Sequence, residues 1–185
     1  RGPEDAAEWL ERAADSGHAA AQFQLGLMYL EGFGVREDAA VAARRFEQAA
    51  DQGHAPAQNN MGSLYENGRG VDQDFSRAFE YFSLAARQGD AMAQNNLGAL
   101  HARGRGVERK HAWAVFWFTT AARNGNDVAK ENIKASLSNL QSKQIAGSRV
   151  NIRSGAGTQH APTSSRTTCR SRTPAARTLP RRRTD

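Results

Sequence analysis

This chain of 185 residues has a single cysteine, five prolines, few β-branched residues and no long apolar run, and each shortage excludes something. The lone thiol, Cys169, rules out an internal disulfide framework and a cysteine-based zinc site, while leaving the redox compartment open. No stretch approaches the roughly 18 apolar residues of a membrane helix. Nothing alternates with period two over a useful length, so strand signals are missing.

Positive charge is also scarce over most of the chain, despite a formal net charge of +6. Residues 1–142 hold 15 Lys+Arg against 18 Asp+Glu, whereas residues 143–185 hold 10 against 1. The basic character belongs to the tail, and the rest gives no reason to expect a nucleic-acid partner. The chain opens at Arg1 rather than Met and reads as helix from Glu4, so a fragment or processed product is expected. A secretion signal could then be missing, and cytoplasmic, periplasmic and secreted locations all stay open.

What is present is a repeat. Gly32-Phe33-Gly34-Val35, Gly68-Arg69-Gly70-Val71 and Gly104-Arg105-Gly106-Val107 recur at a spacing of 36. The same offset links Gly17, Gly53, Gly89 and Gly125; Gly26, Gly62 and Gly98; and Phe46, Phe82 and Phe118. Within a unit, Ala57, Met61 and Leu64 mark one apolar helix face, and Ala78, Phe82 and Ala85 mark a second after the glycine turn. These helices, A and B, predict an all-α chain with B at about 4–15, three A/B pairs over roughly 19–124, and a last A-type helix from about 127 to 140.

The punctuation fits that reading. Glycine after each B helix suits a left-handed closing residue. Asp38 and Asp74 suit the start of helix B, whereas Lys110 predicts a weaker cap in the third unit. Glycine inside helix A costs about 1 kcal/mol against alanine, so Gly26, Gly62 and Gly98 call for a close helix approach.

The run AQNNMGSLYENGRGVDQDFSRAFEYFSLAARQGDA resembles the Sel1-like repeat, a relative of the tetratricopeptide repeat with a longer inter-helix turn. The likeness covers roughly residues 4 to 140; His101 replaces a tyrosine, Lys110 an aspartate, and the last unit lacks the glycine turn. It implies an α/α superhelix, a solenoid of antiparallel helix pairs, serving as a non-catalytic scaffold or adaptor for a protein or peptide segment. A secreted branch of the family carries paired cysteines and has been linked to β-lactam binding; those cysteines are missing here, so that activity is not carried over.

The domain layout expected is a partial repeat (helix B only) at 1–17, repeats at 18–53, 54–89 and 90–125, a capping helix region at 126–150 and a disordered basic tail at 151–185. Alignment with the tetratricopeptide pattern puts the ligand-facing positions on helix A. The candidate binding residues among them are Phe23, Gln24, Leu27 and Leu30, then Asn59, Asn60 and Glu66, then Asn95, Asn96 and Arg103. Phe23, Leu27 and Leu30 would form an exposed apolar stripe, and the asparagines could bond the backbone of an extended peptide, each amide offering donor and acceptor. The plain alternative is that Phe23 packs against missing sequence and the asparagines are merely solvated.

Sharper chemistry finds little support. A phosphate cradle normally follows a strand, and the dinucleotide fingerprint needs a third glycine, so GRGV reads as a turn. His18, His54, His101 and His111 have no cysteine or carboxylate set at ligand spacing, so no catalytic, cofactor or metal role is assigned. Trp117 and Phe118 fall at packing positions, and Trp113 is a candidate for exposure. Ser154–Asp185 lacks aromatics and nearly all large apolar groups; its arginines would suit weak polyanion binding or mere solvation. A ligand-binding or hydrolytic protein built on the array, acting on cell-wall material, is the alternative from another class.

Overall fold

The computed structural model describes residues 2–154, and the expectation of a disordered tail lies, from residue 155 on, outside the described residues. Eight helices follow one another: α1 (Pro3–Asp15), α2 (Ala19–Glu31), α3 (Ala39–Asp51), α4 (Ala55–Asn67), α5 (Phe75–Arg87), α6 (Ala91–Arg103), α7 (His111–Arg123) and α8 (Val128–Ser154). No strand occurs among the described residues. Residues 1–148 pack as one unit; of a second, 149–185, only the end of α8 is described.

The even-numbered helices are the A helices and the odd-numbered ones the B helices. Helix α8 departs from expectation by running to Ser154 rather than to about 140. The earlier A helices stop at Gly32, Gly68 and Gly104, each left-handed and bonded back to the carbonyl of Met28, Leu64 or Leu100. One period on stands Leu140, which supplies no such stop.

Each B helix closes in a shared way. After α3, Gly53 at φ +84° donates to Ala50 O at 2.9 Å, and His54 N donates to Ala49 O at 3.1 Å. That pair of bonds satisfies two of the carbonyls a helix end leaves bare. The next A helix then starts at once, capped by His54 Nδ1, Asp90 or Asn126, which accept from Ala57 N, Ala93 N and Ala129 N. Asp38 and Asp74 each accept two backbone N–H groups at the start of α3 and α5, whereas Lys110 makes no side-chain cap on α7, the weak point expected there.

The core is a seam of phenylalanine against glycine. Phe46 and Phe82 are fully buried and Phe118 nearly so. A Cβ on Gly26, Gly62 or Gly98 would lie 2.7, 2.6 and 2.7 Å from the ring of Phe46, Phe82 or Phe118. The mid-helix glycines are therefore required by the close approach of helix B. Helices pair as α2/α3, α4/α5 and α6/α7, and the units stack through α1/α2, α3/α4 and α5/α6.

A buried amide ladder stitches the units together. Gln22, Gln58 and Gln94 each donate to the carbonyl of Ala14, Ala50 or Ala86 at 3.1 Å. Their side-chain oxygens accept from Gln52, Gln88 and Asn124 at 2.7, 2.7 and 2.9 Å. Helices α2, α4 and α6 are so bonded to the preceding B helix and to the end of their own B helix, at no cost in unpaired buried polar atoms in these three glutamines.

Three histidines carry a pH consequence. Burial lowers the pKa of His54, His101 and His111 below the usual imidazole value of 6.5, assisted at His101 by Lys110 and at His111 by Lys143 and Arg109, and opposed at His101 by a bond to the Glu108 backbone. As pH falls through 6.5 the unfolded chain takes up these protons first, so their contribution is intact above that value and is lost below it. The melting temperature should fall between pH 7.5 and about pH 5. Replacing His101 with Tyr, the residue at the equivalent positions 29 and 65, should flatten the fall; an unchanged slope would contradict this account.

Candidate functional site

The glycine turn spends its groups on the neighbouring unit. Arg69 Nη2 donates to Leu30 O at 2.8 Å and to Glu37 Oε1 at 2.7 Å, both in the preceding unit. Gly70 sits at φ +74° with its Cα so near Ala39 O that any Cβ would overlap it. In the next unit Arg105 lies over the Phe75 ring at 5.2 Å. The motif is a structural clasp between repeats.

On the A-helix side, a cavity of about 420 Å³ lies between α6 and α8. It gathers four of the residues expected in the groove, Glu66, Asn95, Asn96 and Arg103. Arg103 approaches Glu66 at 3.8 Å, and its side chain is 58% exposed, so the pair is loose and solvent-screened. Asn96 Nδ2 donates to Asn59 Oδ1 at 3.1 Å, and Asn132 Nδ2 donates to Asn95 Oδ1 at 2.9 Å. The asparagines are thus neither wholly free nor merely solvated: one amide group of each pair is used between units, and Asn59 is buried by it.

Asn60 has no bonded partner among the described residues, because the position that supplies asparagine in later units holds Phe23 here. The exposed apolar stripe is corrected by the structure. Phe23, Leu27 and Leu30 are half-buried against the core, with the Phe23 ring 5.7 Å from Phe46 and 4.8 Å from His54. Helix α3 of the same unit and His54 of the next one cover Phe23. Gln24 remains exposed on α2 and, with Phe23, Leu27, Leu30 and Asn60, lies outside the lining of this cavity.

The cavity also includes His111, Asn132, Ser136 and Asn139, which the sequence reading did not place in the groove. The signal was available, since Asn132 is Asn96 carried one period further and Asn139 is Arg103 carried likewise. His111 Nδ1 is buried without a hydrogen-bond partner, and burial, with Lys143 and Arg109 acting in the same sense, lowers the pKa of the ring. Among the described residues, no three His, Cys, Asp or Glu side chains are grouped as a metal would need. No helix of the described residues is long and apolar enough to cross a membrane.

Stacked helix pairs with a period of 36, joined by glycine clasps and buried amides, define a helical-repeat solenoid. The Sel1 repeat pattern matches residues 1–18, 19–54, 55–90 and 91–126, and the chain belongs to the Sel1 repeat family. Members of this family are commonly protein-interaction scaffolds. Among solved structures, the chain is 34% identical to a Sel1 repeat protein from Oxalobacter formigenes, with a TM-score of 0.67, covering 71% of this chain and 54% of that one. It is 40% identical to a protective antigen of uropathogenic Escherichia coli with an SLR fold, TM-score 0.65, covering 66% of this chain and 26% of that one. The chain therefore spans about half and about a quarter of those two proteins. Helicobacter pylori cysteine rich protein B, 20% identical with a TM-score of 0.58 over 69% of this chain and 95% of that one, shares the fold. No curated protein matches the chain.

Proposed function

We propose that the chain is a non-catalytic scaffold that holds an extended peptide segment of a partner protein in the groove formed by its A helices. The observation that carries this reading is the cavity in which Glu66, Asn95, Asn96, Arg103, Asn132 and Asn139 converge from three successive A helices. An extended peptide presents N–H and C=O groups at regular intervals along its backbone, and side-chain amides can serve both kinds. The amide groups left over from the Asn59–Asn96 and Asn95–Asn132 pairs supply such sites without choosing a side chain. Glu66 and Arg103 add charges of both signs, so neither polyanions nor polycations are favoured. Gln24 and Asn60 would extend the track toward the first unit.

The test is selection of a random extended-peptide library on the full chain, followed by affinity measurements on the peptides recovered. Arg103→Ala and Asn95→Ala should each weaken capture about fivefold, the loss of roughly one hydrogen bond. Arg103→Ala, on an exposed side chain, should leave the melting temperature nearly unchanged. Recovered peptides whose affinity ignores both substitutions would refute the groove.

A further inference from the structure

A second cavity, outside the groove, differs between repeats in a chemically directed way. In the second unit the Tyr65 hydroxyl accepts from Arg77 Nη1 at 2.6 Å, the guanidinium lies 5.3 Å from the centre of the Tyr65 ring, and Tyr81 stacks on Tyr65 at 5.7 Å. The slot is filled by the chain's own cation. One period on, Tyr65, Arg77 and Tyr81 become His101, Trp113 and Trp117, while Asp51, which lines a cavity together with Arg77 and Tyr81 in the second unit, becomes Arg87.

The third unit therefore loses the internal donor and reverses the charge. Its cavity, about 260 Å³, is lined by Phe79, Leu97, His101, Trp113, Trp117 and the exposed Arg87. His101 is 7% exposed, and its Nδ1 has no hydrogen-bond partner. The Glu108 backbone favours the protonated ring, and in the neutral ring with the proton on Nε2 the unpartnered Nδ1 can accept a hydrogen bond. Phe79 meets the imidazole edge-on at 5.6 Å and Trp113 stacks on it at 6.1 Å, so the acceptor sits among aromatic faces. Arg87 has no ion-pair partner among the described residues. Trp113 remains 49% exposed at this site.

We propose that this cavity binds an aromatic ring bearing an O–H or N–H donor and joined to a carboxylate, as in a tyrosine-like or tryptophan-like acid, free or as the last residue of a peptide. The ring stacks against Trp113 and Trp117, its donor satisfies His101 Nδ1, and the carboxylate pairs with Arg87. A cation is excluded even though aromatic walls attract cations, because Arg87 stands where the second unit has Asp51 and Lys110 acts on His101 with the same sign. The volume lies below the roughly 300–1,000 Å³ of sites for larger ligands, which suits a single ring and its short appendage.

The experiment uses the full chain labelled with 15N, in which three indole N–H signals report Trp9, Trp113 and Trp117. N-acetyl-tyrosine should shift the signals of Trp113 and Trp117 saturably, with a Kd on the order of 1 mM, and leave that of Trp9 on α1 in place. N-acetyl-phenylalanine, lacking the donor, and N-acetyl-tyrosinamide, lacking the carboxylate, should each bind about fivefold more weakly. Arg87→Gln should erase the difference between the acid and the amide, and His101→Phe the difference between the tyrosine and phenylalanine probes. Arg87 is exposed, so its variant keeps the test decisive should His101→Phe fold poorly. Equal binding of the three probes, no saturable shift, or a matching shift of Trp9 would overturn the proposal. A tetrapeptide Gly-Gly-Ser-Tyr binding more tightly than N-acetyl-tyrosine assigns the site to a peptide terminus, and weaker binding assigns it to the free acid.

Discussion

Phe82→Ala should lower the unfolding free energy by about 3–5 kcal/mol, the usual cost of deleting a phenylalanine from a core that cannot collapse around the gap. The ring is wholly buried and rests on Gly62, within the one cluster that joins α3, α4, α5 and α6. Each unit of a solenoid is held by its neighbours, so a weakened middle seam is expected to let the two ends melt separately. Chemical denaturation followed by helix content would then show a lower midpoint and a broader transition. Phe82→Leu, which keeps much of the volume, should lose roughly 1–2 kcal/mol. A Phe82→Ala protein within 1 kcal/mol of its parent would mean that the seam is not the principal contact.

The second large effect is Gly62→Ala, where two terms oppose each other. Alanine favours a helix interior over glycine by about 1 kcal/mol, so a free helix would gain from the change. In the folded chain the new Cβ would stand 2.6 Å from Cδ1 and Cε1 of Phe82. Phe82 is buried on every side and cannot swing away, so overpacking of about 1–3 kcal/mol is expected to win. Net destabilisation is the prediction, against the ordinary propensity ranking. In a Phe82→Leu background the penalty should shrink, and a double-mutant cycle should return a coupling of at least about 0.5 kcal/mol. Additive effects would show that glycine and phenylalanine are not matched parts of one contact.

Much of this architecture was legible in the order of residues. The period of 36 located α1 to α7 because an apolar face, a closing glycine and a capping aspartate are all local features. Gly26, Gly62 and Gly98 pointed to a close approach because glycine is otherwise costly there, and the phenylalanines two turns into the facing helices are what approaches. The weak cap at Lys110 was readable for the same reason, since a cap is a matter of two or three residues. The length of α8 was not, because it depended on a stop signal that the last unit lacks.

The groove was legible only in outline. Glu66, Asn95, Asn96 and Arg103 do line one cavity, but the apolar character assigned to Phe23, Leu27 and Leu30 as exposed groups fails. A helical wheel tells which side of α2 a residue occupies, and it does not tell how far the next unit leans across that side. His54 and Phe46 cover Phe23 from elements 23 to 31 positions away. The amide ladder of Gln22, Gln58 and Gln94 was missed although its period was in plain view, because a buried glutamine looks like a surface glutamine until its partners are known.

By itself the sequence determined the helical class, the repeat, the turns and the family, since dihedral preference and apolar periodicity act within a few residues. The tertiary structure alone decided which amides bond across units, which aromatic slot is filled from within by Arg77 and which is left with His101 Nδ1 unpaired. Those outcomes depend on the distance and angle between stacked helices, set by the sum of many packing contacts at residues about 36 positions apart.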